Sequence, residues 1–157
     1  MSPKRVVGEW LFSKLAGVFV EGATLYVPKG LVTEGVLNPG EAEVADGKLV
    51  GYSLTEGRVY PIATKEDVRA PYVTYDNITV NYEATKDGSY PDNLTCRVLC
   101  VDRGYTLVEA LADAVEATLN NAWVEAVGSE ILLSSRTSDC DPSTGEYIEE
   151  LRFSITL

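Results

Sequence analysis

The chain has 157 residues, with 24 acidic and 13 basic side chains, no histidine and a net charge of −11. That length fits one domain with a sizeable core. The basic residues are scattered singly apart from Lys4-Arg5, which argues against a groove for sequence-specific nucleic acid and against an anionic membrane surface. No window approaches the apolar length of a membrane span, and Glu9 and Lys14 interrupt the apolar stretch that a signal peptide would need.

In chain order, residues 4–20 predict a helix. Val7, Leu11, Leu15 and Val18 recur at helical spacing, Glu9, Ser13 and Lys14 face away, and Gly22 supplies a stop. Residues 26–55 hold short apolar pairs between turn signals such as Asn38-Pro39-Gly40 and Asp46-Gly47, so a turn-rich β excursion with a hairpin or two is expected over about 27–54. Arg58-Val59-Tyr60 reads as a short extended piece that Pro61 ends or confines to a sheet edge. Pro71 biases Ala70 toward extended geometry and opens a strand over residues 72–82. A second strand over 94–101 pairs with it as a long antiparallel hairpin, with residues 83–92 as the connecting loop.

Thr106-Leu107-Val108-Glu109 matches a capping box and predicts a helix start. Leu107, Ala110, Leu111, Ala114, Val115, Thr118 and Leu119 make its buried stripe, and the abundance of alanine suggests close packing on a sheet. Glu109, Asp113 and Glu116 form the opposite face. With Glu125 and Glu130 they are the five acids between Gly104 and Ser135, a stretch without a base. Residues 131–137 predict a strand and 141–145 a loop. The last strand alternates cleanly, with Leu151, Phe153, Ile155 and Leu157 on one side and Glu150, Arg152, Ser154 and Thr156 on the other. These elements make an α+β domain of mostly antiparallel sheet packed against two helices.

Chemistry is sparse. Without histidine the chain lacks the commonest general base, triad partner and zinc ligand, and it has no phosphate-binding glycine loop or nucleophile elbow. No catalytic, cofactor or metal residues are assigned. Asp139, Asp141, Ser143 and Glu150 echo the spacing of a calcium loop, but Pro142 and a glycine one place late favour a plain hairpin turn. Cys96 and Cys100, four apart on a strand, lie about 13 Å apart, too far for a disulfide. With Cys140 they are expected as free thiols. Tyr60, Tyr72 and Tyr75, with Pro61 and Pro71, are candidates for packing or a subunit interface.

The order of these motifs is similar to a known family. Arg58-Val59-Tyr60-Pro61, then Ala70-Pro71-Tyr72-Val73-Thr74-Tyr75, a strand ending near Val101, the alanine-rich helix, and D-x-x-T-G-x-Y…L-x-F-S from Asp141 resemble the tail-completion (tail terminator) proteins of long-tailed phages and prophages. The likeness covers residues 55–157 and the N-terminal helix, and departs over 27–54. It implies a single domain over 1–157, a homo-oligomeric ring, commonly a hexamer, and a place in the virion tail after assembly in the host cytoplasm. It further implies a tail tube protein and a head–tail connector as partners, with no catalysis and no cofactor. An acidic helix face lining such a ring would repel DNA and let it slide. The competing expectation is a small non-catalytic protein- or ligand-binding module of bacterial origin.

Overall fold

The computed structural model describes residues 2–25, 37, 40–46, 48–62 and 68–157. Helix α1 spans Pro3–Leu15. The Ser2 hydroxyl accepts the Arg5 N–H at 3.3 Å, and Pro3 occupies the first turn, where its missing N–H costs nothing. Strand β1 follows at Phe19–Leu25, β2 at Ala42–Ala45 and β3 at Lys48–Ser53; a 3-10 turn, Glu56–Arg58, leads into β4 at Val59–Pro61. Then come β5 (Tyr72–Thr85), β6 (Gly88–Asp102), α2 (Tyr105–Leu119), β7 (Trp123–Val124), β8 (Ser129–Asp141) and β9 (Glu146–Thr156). The six-stranded sheet has the order β4-β5-β6-β9-β8-β7, antiparallel except for the β4–β5 pair, and β1-β3-β2 form a smaller antiparallel sheet. Two helices on a mostly antiparallel sheet make the α+β class expected from the sequence.

One face of the large sheet is the core. Leu94, Cys96, Val98 and Cys100 of β6 lie beside Leu151, Phe153 and Ile155 of β9, all buried. Leu107, Leu111, Val115 and Leu119 of α2 sit over them, and Val7, Leu11 and Leu15 of α1 join the same core from over β5 and β4. The alternation of β9 is as read, because one face meets helices and the other meets water.

Three local expectations are corrected. The first helix ends at Leu15, not near residue 20: the chain turns through Ala16-Gly17, and Val18 and Val20 are buried while Phe19 is exposed, a period of two. Gly22 lies within β1 and is no helix stop. Helix α2 begins at Tyr105 on an N-cap of Gly104 that makes no side-chain bond, so Thr106 does not open a capping box. Most of the presumed 83–92 loop is strand: β5 and β6 continue to the Thr85–Gly88 pair and turn tightly at Lys86-Asp87. The expected hairpin is present between β2 and β3, which pair as far as Ala45 and Lys48, with Asp46 at φ 52. Of the 27–54 excursion, residues 27–36, 38, 39 and 47 lie outside the described residues.

Gly51 is required by close approach. A Cβ there would meet the Phe19 ring at 2.5 Å and the Val20 carbonyl oxygen at 2.6 Å. The ring can swing aside, but the carbonyl belongs to the paired strand. Gly51→Ala is expected to lower stability by about 1–3 kcal/mol, read as a fall in denaturation midpoint; an unchanged midpoint would show that β1 moves away freely.

Candidate functional site

The proline–tyrosine segment forms one edge of the large sheet. Val59, Tyr60 and Pro61 pair in parallel with Val73, Thr74 and Tyr75, so Pro61 stands on an edge strand, where a missing N–H is tolerated. The Tyr60 and Tyr72 rings meet edge to face, with centroids 6.3 Å apart at 78°, and the Tyr60 hydroxyl donates to the Gly57 carbonyl. Arg58 fastens the segment from behind: its guanidinium donates to the Pro71 carbonyl at 3.0 Å, the Arg69 carbonyl at 3.2 Å and Glu41 at 3.0 Å. Tyr75 and Pro71 are buried in their own chain, Tyr60 and Tyr72 are half-buried, and Pro61 is exposed.

The acidic face of α2 does not simply point to water. Arg136 of β8 gathers Asp113 at 2.8 Å, Glu109 at 3.5 Å and Glu116 at 3.6 Å. Its Nε also donates to Glu149 at 3.1 Å, a buried carboxylate of β9 that accepts the Ser138 hydroxyl at 2.6 Å as well. Arg136 therefore serves four carboxylates, leaving a local excess of negative charge outside. Burial works against its proton, but hydrogen bonds to Asp113 and Glu149 overcome this and hold the guanidinium charged. On the opposite sheet face Arg97 binds Asp76 through two bonds of 2.7 and 2.5 Å and reaches Glu150 at 3.3 Å, tying β5, β6 and β9 across the sheet.

One buried pair escaped the sequence reading. Asp102, at the end of β6 and 1 % exposed, accepts the Tyr52 hydroxyl at 3.1 Å and the Arg103 N–H at 2.7 Å. Tyr52 belongs to β3, so this bond links the small sheet to the large one. Burial raises the Asp102 pKa to about 6 against the hydrogen bonds that lower it. The two partners lie fifty residues apart, and no local motif announces them.

Cys96 and Cys100 are buried and free, and Cys140 is exposed. Burial pushes the Cys96 thiol up to about 12 and raises Cys100 as well. A thiol reagent is therefore expected to label Cys140 alone in the native protein and all three cysteines after unfolding; native labelling of a second thiol would contradict the packing. Among the described residues no His/Cys/Asp/Glu group is arranged to hold a metal ion. Asp141 Oδ1 instead accepts the Ser143 N–H at 2.9 Å and its hydroxyl at 2.7 Å, and Glu150 is engaged by Arg97 and Arg152. The 141–145 segment is a hairpin turn, with Gly145 at φ 73.

The fold and this surface define an α+β protein built on one large sheet with long protruding hairpins. No family model matches the chain, and no curated protein does. Ten solved chains match in structure. One belongs to the "Virion of native gene transfer agent (GTA) particle", with a TM-score of 0.51 at 14 % identity over 64 % of this chain and 78 % of that one. The likeness is one of fold.

Proposed function

We propose that this chain is a structural component of a phage-like virion, and within it a tail-completion protein that caps the tail tube and helps join tail to head. The observation that carries the reading is the fold shared with a chain of a gene transfer agent virion. The order of sequence motifs from Arg58 to Ser154 supports the finer assignment. No catalytic step, cofactor or metal is part of it.

In this reading the chain works as a homo-oligomeric ring, a hexamer by family resemblance, between a tail tube protein and a head–tail connector. Free sheet edges support self-association. Among the described residues β5 has no outer partner beyond Tyr75, and β8 pairs with β7 only at Ser129 and Glu130. Such edges associate unless protected, and a closed ring satisfies them by symmetry. Glu109, Asp113 and Glu116, in excess over Arg136, would line the channel and keep DNA from adhering. An imaged ring with these residues on its outer wall would remove that part of the proposal.

Deleting the coding sequence and imaging the particles tests the whole. Tails of uncontrolled length, or tails unjoined to heads, are expected. Joined particles with tails of normal length would overturn the assignment. No helix among the described residues is long and apolar enough to cross a membrane.

A further inference from the structure

We propose that the tip of the β5–β6 hairpin of one copy of this chain seats in a groove between α1 and β5 of the next copy, head to tail. The inference deepens the assembly reading above and rests on it for the identity of the partner.

The hairpin leaves the body of the sheet. β9 pairs with β6 only from Asn93 onward. The remaining pairs, Tyr82 with Pro91, Glu83 with Tyr90, Ala84 with Ser89 and Thr85 with Gly88, stand as a two-stranded arm whose residues are all exposed. From Tyr82 to Thr85 it extends about 10 Å. A lone two-stranded ribbon is marginal in water, yet this one presents Tyr82 at 61 % and Tyr90 at 52 % exposure. Tyr82 follows Val80 by two residues, so it carries the apolar face of the sheet out past the helices that cover that face elsewhere.

The groove, about 900 Å³, opens where β4 stops. Its apolar lining is Phe12 of α1, Ile78 of β5 and Ile62 just after Pro61. Gly8 of the helix lies over Ile78, and a Cβ there would sit in ordinary contact, 3.4 Å from Ile78 Cδ1. Ile62 is 78 % exposed at φ 68, a conformation that costs a β-branched residue energy and is held at sites with a use for it. A large apolar side chain is thus kept at the lip of an apolar groove, beside a stretch of β5 that has no outer partner among the described residues.

Charge selects the occupant. In a chain of net charge −11 two copies repel unless acid meets base. The arm carries Glu83, Asp87 and Asp92 against Lys86; of the groove's charged lining, Asp76 is neutralised by Arg97, which leaves the adjacent pair Lys4 and Arg5 against Glu9 at the rim. Arg5 is held by Glu9 at 3.1 Å in an exposed pair, which a partner carboxylate exchanges at little cost. Arm and groove are different surfaces, so a docked pair still has one of each free. The contact therefore propagates, and it forms a ring when the rotation between copies closes.

The test uses the full chain in a Cys140→Ser background. Ala84→Cys puts a thiol on the arm and Thr79→Cys puts one in the groove, both at exposed positions. Under mild oxidation a mixture of the two single variants should give the mixed disulfide faster than either homodimer. A chain carrying both cysteines should give a ladder running beyond dimer. Lys4→Glu on the groove variant should slow mixed-disulfide formation by about fivefold or more, and Glu83→Lys on the arm variant should recover it. Circular dichroism and thermal melts confirm that each variant is folded.

Homodimers forming as fast as the mixed product, a ladder that stops at dimer, or a Lys4→Glu loss without recovery would each overturn the contact. Ring formation is read separately, by sedimentation of the Cys140→Ser chain without added thiols. A ring without these cross-links leaves the assembly reading standing and removes this one, and the absence of both removes both.

Discussion

Arg136→Ala is expected to lower the free energy of unfolding by about 3–5 kcal/mol, the range for removing one partner of a buried ion pair. The size follows from where Glu149 sits. Its side chain is 4 % exposed and keeps only the Ser138 hydroxyl when Arg136 is gone. On the helix side the loss releases Glu109, Asp113 and Glu116 to repel one another along α2. The exposed bridges alone contribute little, at most about 1 kcal/mol each, so the buried partner decides the outcome. Removing both ends, as Arg136→Met with Glu149→Leu, should recover most of the loss, because apolar groups of similar volume need no counter-charge. Denaturant unfolding of the parent, Arg136→Ala and the double variant supplies the measurement. A single-variant loss within the range of a surface bridge would mean that Glu149 finds water or another donor.

The second large effect is a pH dependence located at Asp102. The native state holds this proton more tightly than the unfolded chain, with a pKa of about 6 against the ordinary 3.8. Its contribution to stability is therefore complete below about pH 4 and is lost as pH rises through about 6. At pH 8 the buried carboxylate costs about 3 kcal/mol, since each unit of difference is worth about 1.4 kcal/mol. Asp102→Asn should remove that slope, leaving a variant more stable than the parent at pH 8 while still able to accept the Arg103 N–H. Tyr52→Phe acts the other way: it deletes a hydrogen bond to the ionised form, raises the Asp102 pKa further and extends the loss of stability to higher pH. Unfolding curves at pH 4, 6 and 8 for the three proteins decide. Parallel pH profiles for parent and Asp102→Asn would place the slope elsewhere.

Much of the fold was legible because the information is local. β9 alternates because helices cover one face of a strand and water meets the other, and the Asp46-Gly47 and Asp141–Gly145 turns announce themselves by residues that tolerate left-handed backbone. The arm was read as a loop because its strands are exposed on both faces, so nothing selects alternating polarity. Thr106 and Glu109 have the spacing of a capping box, but the chain leaves Asp102 and enters the helix at once, putting Gly104 at the cap. At the site, distance in sequence was the obstacle. The base-free stretch ends at Ser135, and the residue that gathers its helix carboxylates is Arg136, next in the chain but brought over α2 only by the strand order. Tyr52 and Asp102 meet because two separate sheets pack together. The tyrosines and prolines of the β4 edge lie in packing or at the sheet edge, while Arg58, which ties that edge together, carries no recognisable pattern.

The strand order also dictates a timetable. β9 lies between β6 and β8, yet it is made after both. While the chain is being synthesised from its N-terminus, β5 and β6 can zip into a hairpin, but the flank of β6 and the row Leu94, Cys96, Val98 and Cys100 have no neighbour until β9 emerges. β8 waits in the same way. The two halves of the molecule are thus joined by one late strand that must insert between them, a non-local step of the kind that makes folding slow. Until then the nascent protein shows an apolar, unpaired β6, and that interval is when it is most open to mispairing with a neighbouring copy.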